Sequence, residues 1–168
     1  MLLNRRCFCM YGKQSYVLNP LKIEGMPYIS IHDHVTIHEG TWLAAKPMAG
    51  ESVELKIGEG TVLGHFNHIF ATQSIVIGKY VLTADKVYIS DNLHRYENID
   101  VPVINQGIKQ CSNVEIGEGS WLGENVCVIG ANSVVTHDIP DFCVAVGAPA
   151  KVIKQYDFHL ERWVKYNP

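Results

Sequence analysis

The sequence predicts an all-β protein built as a single parallel β-helix of hexapeptide repeats, and two observations lead to this prediction. Aliphatic residues open units of six residues in several separate blocks, and a small residue often follows the opener. Polar segments that contain glycine and proline separate these blocks. A period of six is typical of a helix in which three short strands form one triangular coil. The openers then stack inside the coils at a spacing of about 4.8 Å. A β-sandwich, which is the alternative fold, does not require a strict period of six residues.

The predicted coils follow one another after an irregular N-terminal segment, residues 1–28. The hexad openers of the successive blocks are Ile31, Ile37 and Leu43; Ile57, Leu63 and Ile69; Ile77, Thr83 and Ile89; and Ile116, Leu122 and Ile129. The segment 46–54, which contains proline and glycine, is predicted to leave the stack as a loop. The helix domain is predicted to span 29–153, with an excursion loop at 95–113. A short amphipathic C-terminal tail is predicted at 154–168.

Charge and cysteine content narrow the class of protein. The chain has 168 residues, which suits one domain, and a net charge of −3, which gives no case for a nucleic-acid partner. No apolar stretch approaches the length of about 20 residues that a membrane span needs. The five cysteines, Cys7, Cys9, Cys111, Cys127 and Cys143, are an odd number at irregular spacings, which favours a reducing compartment and no metal site. We therefore expect a cytoplasmic protein without an integral membrane segment.

Three stretches resemble the hexapeptide-repeat O-acetyltransferases of the galactoside, maltose and polysaccharide group. They are 89–96, Ile-Ser-Asp-Asn-Leu-His-Arg-Tyr; 116–125, Ile-Gly-Glu-Gly-Ser-Trp-Leu-Gly-Glu-Asn; and 129–153, which contains Val-Gly-Ala-Pro-Ala-Lys. The resemblance is closest to the branch that acetylates cell-surface saccharides, because no long helical pattern precedes the repeats. It implies a left-handed β-helix and a homotrimer with active sites between subunits. It also implies acetyl-CoA as donor and a precursor of lipopolysaccharide, capsule or exopolysaccharide as acceptor.

The resemblance assigns a general base. In that family the histidine that ends an Asp-x-x-His segment takes the proton from the acceptor hydroxyl, and His94 holds this place. An imidazole titrates near pH 6.5, which suits a base that acts on a hydroxyl at neutral pH. Asp91 and Glu97 are the two candidates for orienting its ring, and the sequence does not choose between them. The asparagine that the family places near the acetyl group corresponds to Asn67. The alternative reading of His94 is an ordinary histidine of a surface loop.

The same resemblance assigns a binding site for the donor along the later coils. Trp121 and Gly123 are expected beside the pantetheine arm, and Ala131 and Thr136 further along it. Two lysines are expected at the phosphates of CoA, where their positive charges would be favourable: Lys151 and Lys154.

One departure from the family concerns the segment between Leu122 and Ile129. Relatives commonly have about two more hexads there, so most of a coil is predicted to be absent. One coil corresponds to about 4.8 Å along the helix axis. We therefore expect a shortened or distorted pantetheine channel, which weakens the assignments from Ala131 onward.

Three other functions stay open at this stage. A zinc hydratase of the γ-carbonic-anhydrase type would use three imidazoles, for which His65, His68 and His94 are available. Its two strand histidines, however, are five residues apart, whereas His65 and His68 are three apart. An N-acetyltransferase acting on an aminosugar would also use a histidine base. The third possibility is a trimeric β-helix without catalytic activity, because a fold alone does not imply a function.

Overall fold

A computed structural model describes residues 4–48, 52–123 and 134–167. Its strands form a parallel β-helix of about five turns, which confirms the predicted fold class. The strands are β1 (Met10–Tyr11), β2 (Tyr16–Val17), β3 (Lys22–Glu24), β4 (Ile29–Ile31), β5 (Thr36–Ile37), β6 (Trp42–Ala45), β7 (Glu54–Ile57), β8 (Val62–Leu63), β9 (His68–Ala71), β10 (Ser74–Ile77), β11 (Leu82–Thr83), β12 (Tyr88–Ser90), β13 (Asn92–His94), β14 (Ile108–Gln110), β15 (Val114–Ile116), β16 (Trp121–Leu122), β17 (Val134–Val135), β18 (Cys143–Val146), β19 (Lys151–Asp157) and β20 (Arg162–Lys165). The described ranges also contain short 3-10 helices at Arg5–Cys7, Met26–Tyr28 and Val103–Asn105.

Each face of the triangular stack is one sheet. Sheet A has the order β1-β4-β7-β10-β15, sheet B begins β2-β5-β8-β11-β16-β18, and sheet C contains β3-β6-β9-β12-β17. The strands that stack in these orders are parallel, and the hexad openers are register partners from coil to coil. The openers therefore form three buried ladders inside the prism: Ile31, Ile57, Ile77 and Ile116; Ile37, Leu63, Thr83 and Leu122; and Leu43, Ile69 and Ile89. Val135, which was not a predicted opener, continues the third ladder beside Ile89, and the predicted opener Ile129 lies outside the described residues.

Three coil corners pair a glycine with an aromatic residue of the next coil. The glycines have φ near +70°, and a Cβ atom added to any of them would overlap a ring carbon of the aromatic side chain. The aromatic residues also have positive φ, between 49° and 56°, which is unusual for residues with a side chain. These pairs are Gly40 and Phe66, Gly60 and Tyr80, and Gly119 and Phe142.

The N-terminal segment predicted to be irregular contains a complete first coil. Strands β1, β2 and β3 pair in parallel with β4, β5 and β6 of the next coil. Tyr11, Val17 and Ile23 pack against or within the hydrophobic core, and they are six residues apart. This spacing of six was the signal for a coil that the sequence offered. The signal was weak because the first of these residues is a tyrosine and a proline follows Val17.

The hexad that ends at His94 does not complete a coil, contrary to the prediction. Strand β12 ends at Ser90, and the chain then leaves the stack as an antiparallel ribbon of β13 and β14. Leu93 is consequently exposed, whereas Val81 and Val87, which hold the same place in the two preceding hexads, are buried. The excursion therefore begins before residue 95.

The C-terminal segment also differs from the predicted tail. Strands β19 and β20 form an antiparallel hairpin on β18, which extends sheet B to eight strands. The predicted boundary at 153/154 falls inside β19. The predicted loss of most of a coil between Leu122 and Ile129 falls largely on residues outside the described ranges. No helix in the described part of the chain is long and apolar enough to cross a membrane.

Candidate active site

His94 lies at the end of β13, where its backbone pairs with that of Ile108 on the excursion ribbon. Its side chain is exposed, and no side chain of residues 4–48, 52–123 or 134–167 forms a hydrogen bond with its ring. Glu97, one candidate for orienting the ring, instead forms an ion pair with the Lys109 ammonium at 3.2 Å. A backbone N–H and this ammonium hold the pKa of the Glu97 carboxyl below its ordinary value. The His94 imidazole is therefore accessible from solvent, with no side chain of the described residues bound to it.

Asp91, the other candidate, is fully buried beneath the corner that joins β9 to β10. Its oxygens accept hydrogen bonds from the backbone N–H groups of Thr72, Gln73 and Ser74 at 2.7–3.0 Å. They also accept from the Thr72 hydroxyl and the Asn92 amide. Asp91 thus accepts from the backbone N–H groups of the tight turn at 72–74, which would otherwise be buried without a hydrogen-bonding partner. It fixes the point from which β13 leaves the stack.

Asn67 is buried at the corner between sheets B and C. Its Oδ1 accepts from the backbone N–H of Val87 at 2.6 Å. Its Nδ2 donates to the carbonyl of Gly64 and to the hydroxyl of Thr83. An amide nitrogen has two hydrogens, so Asn67 has no further donor for an acetyl group in this arrangement.

Two of the residues predicted to bind the donor meet in one groove. Trp121 of β16 and Lys154 of β19 line a groove of about 330 Å³ together with Val144, Ile153 and Trp163. The hairpin β19–β20 supplies one wall, so the groove depends on a part of the chain that the sequence did not place. Its lining is mainly apolar and aromatic, with one ammonium group.

Gly123 lies beside this groove. A Cβ atom at position 123 would be 2.9 Å from Val146 Cγ1, so that side chain would have to shift, and it would lie in ordinary contact with the Trp121 ring at 3.6 Å. Thr136 contacts the neighbouring ring of His137 instead. Lys151 begins β19 and is a register partner of Val146. Ala131 lies outside the described residues.

A histidine–carboxylate pair that the sequence analysis missed lies at the corner between sheets B and C. Asp85 Oδ1 accepts from the backbone N–H of His65 at 2.7 Å and lies 3.1 Å from its ring Nδ1. The backbone hydrogen bond is the main reason that the pKa of Asp85 lies below its ordinary value. The His38 ring packs at 4.7 Å from that of His65. His65 and Asp85 each lie two residues after an inward residue of adjacent coils, and this shared position was the signal available in the sequence.

The three histidines considered for zinc are not gathered into one site. His65 is held by Asp85, and His94 is on the excursion ribbon. The ring of His68 stacks on the Trp42 indole at 4.3 Å on the outer face of sheet C. Within the described ranges, no three His, Cys, Asp or Glu side chains form a group that could hold a metal ion.

Sequence comparison finds acetyltransferases. The chain is 37% identical over 155 residues to the probable acetyltransferase Rv3034c of Mycobacterium tuberculosis, covering 86% of this chain and 47% of that protein. It is 37% identical over 115 residues to WbbJ of Escherichia coli K12, a candidate lipopolysaccharide biosynthesis O-acetyltransferase, covering 58% of this chain and 59% of that protein. The chain therefore spans about half the length of these relatives. No family model matches it.

Structural comparison finds the same fold. The hexapeptide-repeat acetyltransferase VCA0836 of Vibrio cholerae, solved with acetyl-CoA, has a TM-score of 0.63 and 20% identity over 91% of this chain and 74% of its own. AntD of Bacillus cereus, an N-acyltransferase solved with dTDP and 3-hydroxybutyryl-CoA, has a TM-score of 0.59 and 16% identity over 93% of this chain and 87% of its own. At these identities the likeness shows a shared fold.

Proposed function

Homologues of this chain are hexapeptide-repeat acetyltransferases, and from this premise we propose that it transfers an acetyl group from acetyl-CoA to a saccharide hydroxyl. The observation that carries the proposal is the similarity to Rv3034c along 86% of this chain, on a fold shared with acetyltransferases. The name of WbbJ, which refers to lipopolysaccharide biosynthesis, supports a saccharide as the acceptor.

His94 is the general base in this proposal. Its imidazole accepts the proton of the acceptor hydroxyl while the hydroxyl oxygen attacks the thioester carbonyl carbon. The C–S bond then breaks, and the imidazolium returns the proton to the departing thiolate, so an ester and free CoA result. The exposed ring, without a hydrogen-bonding partner among the described residues, supports this role. Asp91 acts as a positioning residue, because its hydrogen bonds with the turn at 72–74 hold the chain three residues before His94.

The donor fits the groove at Trp121 in chemical character. An apolar, aromatic lining suits the pantetheine arm, and the Lys154 ammonium suits a phosphate. Gly123 lies next to the Trp121 ring and against Val146, where a side chain would be crowded. Lys151, Thr136 and Ala131 remain assigned to the donor by the resemblance.

The assembly and the location are also proposals. We infer a homotrimer, as the resemblance implies, and a cytoplasmic location, which the odd number and irregular spacing of the cysteines favour. Light scattering coupled to size-exclusion chromatography is expected to give three times the mass of one chain, and a monomeric mass would contradict the trimer.

Thiol release from acetyl-CoA, measured with a panel of saccharides, tests the function. The His94→Ala variant is expected to lose activity by about 10²–10⁴-fold, which is the usual contribution of a general base. The His34→Asn variant is the matched control, because His34 is exposed and has a positive φ that asparagine tolerates. Equal activity of wild type and His94→Ala would contradict the base assignment. If His65→Ala alone is inactive, the base is the histidine paired with Asp85.

The same panel separates two further functions. Aminosugars and their nucleotides are included, because AntD is an N-acyltransferase solved with dTDP. Acetylation of amines but not of hydroxyls would favour an aminosugar N-acetyltransferase. A well-folded wild type that releases no thiol with any acceptor would favour the β-helix without catalytic activity.

A further inference from the structure

The side chain of His94 projects from the same face of the excursion ribbon as two amide side chains. In the antiparallel pairing of β13 with β14, Asn92 is opposite Gln110, and His94 is opposite Ile108. Register partners, and residues two apart along one strand, point to the same face of a ribbon. His94 therefore lies about 7 Å further out along the face that carries both amides.

Both amides bind backbone carbonyl groups of the preceding coil. Asn92 Nδ2 donates to the carbonyl of Phe70 at 3.0 Å, and Gln110 Nε2 donates to the carbonyl of Thr72 at 3.2 Å. Asn92 is on the strand that leaves the stack, and Gln110 is on the strand that returns to it. The ribbon is therefore attached to the end of β9 through each of its two strands.

Two further hydrogen bonds close the base of the ribbon. The backbone N–H of Cys111 donates to the carbonyl of Asp91 at 2.7 Å, and Gln73 Nε2 donates to Asn113 Oδ1. A two-stranded ribbon is at best marginally stable by itself. Its direction relative to the stack is therefore set by the contacts at its base rather than by its own pairing. The orientation of the His94 side chain depends on these contacts, because its backbone belongs to the ribbon.

We propose that Gln110 and Asn92 are positioning residues, which act on the reaction by fixing the direction of the ribbon and thereby the place of the His94 imidazole. This inference rests on the proposed function, in which His94 is the general base. A general base must lie within hydrogen-bonding distance of the hydroxyl that it deprotonates. A displacement of about 1 Å lowers a rate by as much as about 10²-fold. When the Gln110 amide is lost, Asn92 and Asp91 still hold the departing strand, so the ribbon remains attached but changes direction.

A double-variant cycle of Gln110 with His94, measured on the best acceptor of the saccharide panel, tests the proposal. Gln110→Met keeps the length of the side chain but removes its hydrogen-bond donor. With His94 present, this variant is expected to lower kcat by about 10–100-fold and to leave the KM for acetyl-CoA unchanged. In the His94→Ala variant, with free imidazole in the assay as the base, Gln110→Met is expected to change the residual rate by less than about twofold. A base in solution does not depend on the direction of the ribbon.

Gln106→Met is the matched control for this cycle. The Gln106 amide also donates to backbone carbonyls of the excursion, those of Asn98 and Val101, both at 2.7 Å. These contacts lie within the excursion and not between the ribbon and the stack. Gln106→Met is therefore expected to retain the kcat of the wild type. An equal loss of kcat in Gln106→Met would show that any disturbance of the excursion has this effect, and would overturn the assignment of Gln110.

The outcomes separate this inference from the function on which it rests. If the wild type acetylates no acceptor, or if His94→Ala is as active as the wild type, the proposed function or its base is wrong, and this inference with it. If His94→Ala is impaired but Gln110→Met has the kcat of the wild type, only this inference is wrong. The same holds if Gln110→Met lowers the rate equally with and without His94. Circular dichroism shows whether each variant is folded, and Gln110→Glu, which keeps the shape but cannot donate when ionised, replaces Gln110→Met if that variant does not fold.

Discussion

Single side chains at the corners of this helix form contacts that reach one coil along the stack. Asp91 binds the turn at 72–74, Asn67 binds Val87, and Asp85 binds His65. These partners are about 20 residues apart in the sequence because one coil has about that length. Asp91 is named as a candidate for orienting His94 by sequence spacing, whereas its hydrogen bonds are with the preceding coil.

His68 carries a prediction on pH dependence. Burial lowers the pKa of its imidazole, and its Nε2 is buried without a hydrogen-bonding partner among the described residues. The unfolded chain binds a proton at this histidine near pH 6.5, whereas the folded chain binds it only at lower pH. The stability contribution is therefore fully present above pH 6.5 and is lost as pH falls through the lowered pKa. The His68→Phe variant keeps an aromatic ring on Trp42 but has no group that titrates there. Its unfolding free energy is therefore expected to decline less than that of the wild type between pH 7 and pH 5.

Urea denaturation at a series of pH values measures this decline. The matched control is His159→Phe, because His159 is exposed in the turn of the C-terminal hairpin. This control is expected to lose stability with acid as the wild type does. If the unfolding free energy of His68→Phe declines with acid as steeply as that of the wild type, burial of the His68 imidazole does not contribute to the pH dependence of stability.

At the scale of elements, the corners add contacts between successive coils to those that the strands make. The strands are two to four residues long within the coils, too short to be stable as separate elements. At three corners a glycine with positive φ lies beneath an aromatic ring of the next coil. Glycine is required there both for its φ and because the ring occupies the position of a side chain.

The Gly40→Ala variant tests this corner packing. A positive φ alone is expected to cost about 1 kcal/mol, and the clash with the Phe66 ring adds to this cost. Gly107→Ala is the matched control, since Gly107 also has a positive φ but no atom lies within 4 Å of its added Cβ. The double variant Gly40→Ala/Phe66→Leu is expected to recover part of the loss. Equal unfolding free energies for the two alanine variants would contradict the role of the ring.

At the scale of the whole molecule, three ladders, aliphatic except for Thr83, form one continuous core. Nearly all of their members are completely buried, and each touches its counterparts in the coils above and below. The hairpin β19–β20 covers β18 at one end of sheet B, so that β18 does not present a free edge for pairing with another chain.

The Ile57→Ala variant measures the strength of the core. Ile57 is fully buried between Ile31 and Ile77, so truncation is expected to cost about 2–5 kcal/mol through lost burial and a cavity. Ile99→Ala is the matched control, because Ile99 is 95% exposed on the excursion. Its effect on the unfolding free energy is expected to stay within about 0.5 kcal/mol. A loss below 1 kcal/mol in Ile57→Ala would indicate a loosely packed prism.

The sequence by itself determined the parallel β-helix and the residues of its interior. A period of six requires inward side chains at every sixth position, and within each block the described openers from Ile31 to Leu122 are buried as that requirement predicts. It also indicated the groove residues Trp121 and Lys154, because the resemblance aligned them with the donor site. The interior could be predicted because hexad positions repeat locally along the chain.

Only the tertiary structure decided where the chain leaves this period. The chain leaves the stack after Ser90, Asp91 binds the preceding coil, and the C-terminal hairpin returns to β18. Each of these features depends on hydrogen bonds between distant segments, which no local sequence pattern specifies. The pairing of Asn92 with Gln110 is of this kind, since the register of β13 and β14 brings them together. A repeat fixes which side chains point inward, whereas the neighbours of an outward side chain depend on how the coils and their excursions stack.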